Sequence, residues 1–243
     1  MTLSIIVPNV TFTRRTQLYD IPALAKNHVF ALFGASRDRS LINLNASQPN
    51  GIVVGDAAFS NDGALVLGKT NALRFKGLRP LDGGGCTLMV MFKTGPTIGD
   101  AGMASLWSEA QLSADSMARR LYSIWSAGGT SFNGVPGVTS AASGRLMAAN
   151  TEYLLSLTRA VKGTASQLRV HRADGSVLST HAIAEYAGST LPYSADPVFD
   201  IGTASSEGQV GVYMKGAALW SGAMSEADIA SGAALMYQLT HPQ

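Results

Sequence analysis

Acidic side chains are the first candidates for chemistry, because hydrolysis of a glycosidic bond needs two carboxylates about 5 to 10 Å apart across one groove. On a strand, that geometry places acids two residues apart on one face. Only Glu226 and Asp228 have this spacing, and they stand at a predicted helix start, where capping and the helix dipole explain them. The sequence therefore predicts no catalytic residues, and we expect the chain not to be an enzyme.

Nucleophilic chemistry has little support in the sequence. The single cysteine, Cys86, follows Gly83, Gly84 and Gly85 at the start of a predicted strand. A cysteine in this position is typical of a small buried hydrophobic residue, and one cysteine excludes an internal disulfide. No Gly-x-Ser-x-Gly elbow or phosphate-binding loop is present. We predict no cofactor.

Metal-binding patterns are also absent. Calcium needs several oxygen ligands close together, and the candidates Asp56, Asp62, Asp196 and Asp200 form no D-x-D loop. His171 and His181 are predicted to lie on the solvent face of a hairpin, where exposed strand residues explain them better than a metal pair. The sequence predicts no metal site.

Aromatic side chains on loops give the candidate binding site, because glycans stack on aromatic platforms beside polar groups. Trp107, Tyr122, Trp125 and Phe132 surround a Gly-rich segment, residues 126–144, that we expect to be a long loop. Trp107 and Trp125 are better explained as core residues. The residues predicted to bind glycan are Tyr122, Trp125, Phe132 and Tyr193.

Composition narrows the function further. The 243 residues carry a formal net charge of +2, with 14% charged residues and 26 glycines. Scattered cations do not form the basic face that concentrates a nucleic acid backbone, so nucleic acid is not an expected partner. The sequence contains no stretch of about 20 mostly apolar residues, so no membrane span is predicted. No basic n-region opens the chain, so we expect synthesis in a cytoplasm without a cleavable signal.

Alternation of apolar and polar residues predicts β-strands along most of the chain. Residues 87–92 are apolar on both faces and predict a central strand. Residues 121–125, 153–158 and 209–215 predict three more strands, and residues 167–172 predict a strand with one solvent face.

Asp174-Gly175 marks a hairpin turn. A two-residue loop would place Leu168 opposite His181 and mix core with solvent. A three-residue loop, with Gly175 near the left-handed conformation, pairs Leu168 with Ala182 and is the prediction.

The chain ends are predicted to differ from its middle. Ser225 and Asp228 form a capping box, and Ile229, Ala233 and Met236 follow on one stripe, so a helix is predicted over residues 226–238. A second helix over residues 109–120 is a weaker alternative to a loop. Residues 1–26 are interpreted as an N-terminal arm for attachment to a virion or subunit, ahead of one domain over 27–243. Short strands and few helices predict an antiparallel two-sheet sandwich.

From Asn27 onward, the order of segments resembles the laminin-G-like, concanavalin A-like lectin and glucanase jelly roll. The segments that carry this resemblance, over residues 27–239, are residues 28–33, Gln48-Pro49-Asn50-Gly51, Ala72-Leu73-Arg74-Phe75, Asp174-Gly175, residues 199–202 and residues 224–229. The resemblance implies an all-β jelly-roll sandwich with an N-terminal arm and a C-terminal helix. The chain also resembles domains of tailed bacteriophage virion proteins, such as tail fibres, receptor-binding proteins and capsid decorations.

The resemblance implies a non-enzymatic bacteriophage structural protein that binds other virion proteins and can bind host-surface glycan. The low charge and high Ala and Gly content favour close packing of subunits, so a homo-oligomer is expected, with a homotrimer among the candidates. Its expected location is the virion. Two alternatives stay open: a polysaccharide-degrading enzyme whose carboxylates come from distant strands, and a free carbohydrate-binding lectin.

Overall fold

The computed structural model describes residues 19–34, 36–60, 65–66, 71–81, 85–96, 101–108, 122–127, 131–136, 141–142, 148–159, 166–183, 195–202 and 212–241. These residues form two antiparallel sheets, with a helix near the C-terminus packed on one of them. The predicted all-β sandwich is confirmed. The helices are a 3-10 helix (Leu24–Lys26), α1 (Arg37–Ser40) and α2 (Glu226–Thr240).

The first sheet has the order β13-β12-β11-β6-β15-β4-β3, and β1 pairs with β15 beside β4. Its strands are β1 (Asn27–Leu32), β3 (Ala58–Phe59), β4 (Leu65–Val66), β6 (Cys86–Thr94), β11 (Glu152–Arg159), β12 (Ser166–His171), β13 (Val177–Ile183) and β15 (Val212–Ser221). Leu88 of β6 lies opposite both Leu157 of β11 and Leu219 of β15. This confirms the predicted central strand, which is buried on both faces as its continuous apolar run requires.

The second sheet has the order β10-β9-β8-β7-β14-β5-β2. Its strands are β2 (Ile52–Val54), β5 (Ala72–Phe75), β7 (Ala101–Ser108), β8 (Tyr122–Ala127), β9 (Ser131–Pro136), β10 (Ala141–Ala142) and β14 (Pro197–Gly202). The predicted strand at residues 121–125 is therefore present as β8.

One core cluster unites residues from the two sheets. Leu88, Val90 and Phe92 of β6 belong to it together with Leu106 of β7 and Phe199 of β14, all 0–1% exposed. Burial of side chains of this size contributes about 1.5–3 kcal/mol each. Cys86 is buried in the same cluster, as predicted for a small hydrophobic residue.

The C-terminal helix α2 covers the outer face of the first sheet. Ser225 caps it by accepting a hydrogen bond from the Asp228 backbone N–H at 3.1 Å, so the predicted cap is confirmed. Ile229, Ala233 and Met236 are buried against the sheet, and Trp220 of β15 packs in the same cluster. The sheet is thus buried on both faces beneath this helix.

The prediction that the 167–172 strand has a solvent face is wrong. Arg169 and His171 are 5% and 6% exposed, although their side chains alternate with the core residues Leu168 and Val170. Arg169 lies 3.3 Å from Glu226 at the start of α2, which covers this face of the sheet. A polar residue in an alternating strand therefore faces a helix here and not water.

The hairpin between β12 and β13 confirms the loop but not the register. Arg172 and Ser176 flank a three-residue loop, with the Arg172 N–H donating to the Ser176 carbonyl at 2.8 Å, and Gly175 is left-handed with φ 82°. However, Leu168 lies opposite His181 and not the predicted Ala182. A register shift between Val170 and His171 changes the pairing after the loop, as a β-bulge does.

The prediction that residues 126–144 form a long loop is also wrong. Strands β9 and β10 lie within that segment, where β9 pairs with β8 and β10 pairs with β9. Glycine and serine weaken the strand signal, but pairing with a neighbouring strand supplies the backbone hydrogen bonds that a lone segment lacks.

The described part of the predicted arm packs against the outer face of the first sheet. Ile21 is buried in the cluster beneath α2, and the Trp220 indole N–H donates to the Pro22 carbonyl at 2.9 Å. Residues 1–18 lie outside the described residues, as does the segment 109–120 for which a helix was the weaker alternative. Among the described helices, none has the length and apolar character to cross a membrane.

Candidate functional site

An open cleft of about 400 Å³ lies where the end of α2 meets the loop that contains α1. We call it the helix-end cleft. One wall is formed by Leu239 and Thr240 of α2, and Lys215 of β15 and Tyr19 also line it. A cleft of this volume is in the range of small-ligand sites.

The opposite wall is formed by the end of strand β1 and the residues that come after it. Leu32, Phe33 and Gly34 lead the chain out of the sheet and into α1, where Arg39 lines the cleft. The Ser36 hydroxyl caps this short helix by accepting from the Arg39 N–H at 3.4 Å. The cap begins the helical turn because serine satisfies an N–H that has no partner within the helix.

Buried asparagines hold the following loop against β1. The Asn43 side chain accepts from the Phe30 N–H at 3.1 Å and donates to the His28 carbonyl at 2.9 Å. The Asn45 amide donates to the Asn27 carbonyl at 2.7 Å. These side chains bond the edge of β1 as a neighbouring strand would, and this fixes Ile42 and Leu44 in the cleft wall.

A bulge in β15 places Lys215. Met214 lies opposite Phe92 and Gly216 opposite Met91, so Lys215 is the extra residue. Its carbonyl accepts from the Phe33 N–H at 2.9 Å. The Lys215 ammonium is hydrogen-bonded to Glu152 Oε1.

Glu152 also ties the end of α2 to the sheet. Its second carboxylate oxygen lies 2.9 Å from His241 Nε2, an ion pair when His241 is protonated. The His241 ring stacks on Tyr237, with centroids 4.2 Å apart and planes at 16°. Lys215, Glu152, His241 and Tyr237 thus form one chain of contacts that sets the helix end beside the cleft.

The cleft lining combines apolar surface with positive charge. Leu32, Ile42 and Leu44 supply apolar side chains, while Arg39 and Lys215 supply cations. The Phe33 side chain itself is buried in the core between the sheets. The described lining includes no carboxylate and no cysteine or histidine. This arrangement can hold and orient a ligand with an apolar face and polar or anionic substituents.

The structure places the predicted glycan-binding residues elsewhere. Tyr122 and Trp125 lie in β8, and Phe132 lies in β9, where it pairs with Ser126. Tyr122 and Trp125 thus lie on the predicted strand that borders the expected loop, and Phe132 lies on a paired strand within that segment. Tyr193 lies outside the described residues. Trp107 is 4% exposed, as predicted.

Three of the four acids considered for calcium lie in the described part of the chain. Asp200 is 1% exposed and accepts two hydrogen bonds from Arg74, Nε to Oδ1 and Nη2 to Oδ2, both at 2.8 Å. This two-point ion pair accounts for the Asp200 carboxylate. Asp56 and Asp196 are exposed, and Asp62 lies outside the described residues. No group of three metal-ligating side chains occurs in the described part of the chain.

Sequence reasoning missed the residues of the cleft. They come from residues near 19, 32–44, 215 and 239–240, which are distant in sequence. Neither Arg39 nor Lys215 belongs to a recognisable sequence motif. The one available signal was the Asn-rich passage 43–50, which indicates a loop held by side-chain hydrogen bonds.

No protein-family model matches the sequence, and no curated protein matches it. Among solved structures, Trypanosoma rangeli sialidase matches with a TM-score of 0.60 and 14% identity, over 92% of this chain and 34% of the sialidase. A botulinum neurotoxin type C structure, whose cell entry depends on interaction with two ganglioside molecules, matches with a TM-score of 0.55 and 8% identity. That match covers 90% of this chain and 52% of the toxin chain.

These identities are low, so the likeness establishes the fold alone. The present chain spans about a third of the sialidase and about half of the toxin chain. These neighbours share the β-sandwich fold, and to this extent the resemblance stated from the sequence is confirmed.

The prediction that the chain is not an enzyme is wrong, because enzymes are among the structures that match this chain. Sialidases are enzymes, and one matching structure is a Trypanosoma rangeli sialidase mutant that displays trans-sialidase activity. That structure matches over 90% of this chain at 17% identity. The absence of a closely spaced acid pair on a predicted strand therefore does not separate this chain from enzymes that contain the fold.

Proposed function

We propose that the chain is a glycan-recognition domain of a bacteriophage virion protein and that host-surface glycan binds in the helix-end cleft. The observation that carries the proposal is the cleft itself, which is open, about 400 Å³ in volume and lined by both apolar and cationic side chains. Sugars present an apolar ring face and a rim of hydroxyls, and such a lining can contact both.

The fold supports this function without assigning it. The botulinum neurotoxin type C structure belongs to a protein that interacts with gangliosides, and another Trypanosoma rangeli sialidase structure contains sialic acid. These two proteins, which contain the same fold, therefore bind glycans or sugars. The residues that contact a glycan must be argued from this chain, because a fold hosts many different sites.

The direct test is glycan binding by a variant that fills the cleft. Ile42 lines the cleft and is 38% exposed, so Ile42→Trp should block it without disturbing the core. Ile52 of β2 is 42% exposed and does not line the cleft, which makes Ile52→Trp the matched control. On a glycan array and by calorimetry, we expect Ile42→Trp to weaken binding at least about tenfold and Ile52→Trp to leave it unchanged.

The predicted aromatic residues provide the competing site. If Trp125→Ala abolishes binding in a folded protein while Ile42→Trp does not, the glycan binds at β8 and the helix-end cleft is excluded. Circular dichroism checks that both variants are folded. Incubation of the protein with the bound glycan, followed by a reducing-end assay, tests for cleavage.

The virion assignment rests on the order of segments, and a homo-oligomeric state, with a trimer as one form, rests on the low charge and high Ala and Gly content. Mass spectrometry of purified particles tests the first, and light scattering of the purified protein tests the second. Absence of the chain from particles would refute the virion assignment while leaving glycan recognition intact.

A further inference from the structure

We infer that the helix-end cleft selects anionic glycans, whose acidic group is held by Arg39 and Lys215. The inference rests on the proposed function, because it assumes that the ligand is a glycan, and it adds the chemical class of that glycan. The relevant acidic group is a carboxylate or a sulfate, since both present oxygen atoms to cationic donors.

The balance of charge in the lining is the first argument. Arg39 and Lys215 line the cleft and the described lining contains no acidic side chain. Lys215 is already paired with Glu152, so a neutral sugar would leave the Arg39 guanidinium facing the cleft with no anionic partner among the described residues. An acidic sugar supplies one, and the concave, partly apolar surroundings strengthen that attraction relative to open solvent.

Arg39 is the main anchor for an anion. The residue is exposed, and it forms no ion pair with any described residue. Its backbone N–H is held by the Ser36 cap, which fixes the base of the side chain at the cleft wall. A guanidinium offers a planar pair of donors that matches the two oxygens of a carboxylate or sulfate.

Lys215 contributes a second, better-ordered donor. Its ammonium is held by Glu152, which itself is held by His241 at the end of α2. The side chain is only 18% exposed, so its position is restricted. An ammonium has three N–H donors, and the bond to Glu152 uses one of them. Lys215 can therefore donate to a ligand without leaving Glu152.

The apolar wall completes the fit to a sugar. Leu32, Ile42 and Leu44 face the same cleft as the two cations. Such side chains pack against the C–H face of a sugar ring while the ring substituents reach the cations. A small inorganic anion would leave this apolar surface uncovered, so a whole acidic monosaccharide residue suits the cleft better.

The test uses an array of oligosaccharides in three matched forms: carboxylate-bearing, carboxyl-reduced and sulfated. We expect carboxylate-bearing or sulfated forms to bind at least about tenfold tighter than the reduced forms, with affinity falling as salt rises. Arg39→Gln should remove most of this preference. Arg37→Gln is the matched control, because Arg37 is exposed in the same short helix but does not line the cleft.

Each outcome is decisive. Equal binding of acidic and reduced forms at the cleft would overturn the anionic selectivity while preserving glycan recognition. Preference for acidic forms that survives Arg39→Gln and Lys215→Met would place the anion outside this cleft and also overturn the inference. Failure of every glycan to bind would overturn both proposals. A carboxylate-only or sulfate-only preference identifies the acidic group.

Discussion

At the scale of single residues, His171 shows how the covering helix changes the chemistry of a strand residue. Its Nε2 lies 2.7 Å from the Ser156 hydroxyl, and its Nδ1 lies 3.1 Å from the Gly175 carbonyl. Burial lowers the pKa of the imidazole, and the nearby Arg169 guanidinium lowers it further, while the bond to Gly175 opposes both. The folded protein therefore favours neutral His171, with Nδ1–H donating to Gly175 and Nε2 accepting from Ser156.

The first prediction concerns the pH dependence of stability. The unfolded chain binds a proton at His171 near the ordinary pKa of 6.5, whereas the folded chain binds it only at lower pH. The free energy of unfolding is thus highest above pH 6.5, where His171 is neutral in both states. It decreases as the pH falls from 6.5 toward the folded pKa, by at most about 1.4 kcal/mol per pH unit for one proton. Denaturant unfolding from pH 7.5 to 5 measures this slope.

His171→Gln should flatten the dependence of the unfolding free energy on pH in that interval. Thr180→Ala, at an exposed position of the neighbouring strand, controls for general destabilisation. An unchanged slope in His171→Gln would show that the imidazole does not carry this pH dependence.

The sequence predicted the apolar residues of the strands better than the polar ones. Leu168 and Val170 are in the core as alternation requires, but Arg169 and His171 were assigned to solvent. Alternation identifies two faces of a strand without showing what covers the second one. The ion pair of the Asp200 carboxylate could not be predicted either, because its partner Arg74 is 126 residues away in the sequence.

At the scale of elements, the hairpin turn after β12 meets helix α2 at close range. A Cβ placed on Gly175 would lie 2.1 Å from the Ala230 carbonyl oxygen, and the residue is left-handed with φ 82°. Local sequence predicts the turn and its glycine because Asp-Gly favours this conformation. It does not predict the contact with α2, which depends on how the helix packs.

The second prediction compares two glycines with similar backbone angles. Gly222 has φ 76° with nothing within 4 Å of a Cβ, so Gly222→Ala should cost only the left-handed strain of about 1–2 kcal/mol. Gly175→Ala should destabilise the protein distinctly more, because α2 or the turn must move. Thermal or denaturant unfolding measures the difference, and equal losses would contradict the close contact.

The third prediction concerns the asparagines that attach the cleft loop to β1. Asn43→Ala leaves buried backbone groups of His28 and Phe30 without their side-chain partner, which should cost about 2–4 kcal/mol. Arg37→Ala, at an exposed position of α1 in the same loop, should cost much less. Unfolding measurements on both variants decide the matter. A small loss in Asn43→Ala would mean that the loop is held by other contacts.

At the scale of the whole molecule, the two-sheet architecture could be predicted because each strand shows its own pattern and the order of segments adds a constraint. The helix-end cleft could not, because its lining combines the region before β1, the α1 loop, β15 and α2. Residues that meet only after the sandwich and helix have packed leave no local signal. The candidate site thus belongs to the tertiary structure, while Tyr122, Trp125 and Phe132, chosen from the sequence, lie in the second sheet.

The most direct test of the account is a crystal structure of the protein with the tightest-binding glycan from the array. We expect the sugar in the helix-end cleft, with its acidic group within hydrogen-bond distance of Arg39 and Lys215 and its ring against the apolar wall. Glycan density at Trp125 and Phe132, or anywhere else on the surface with the cleft empty, would contradict the account.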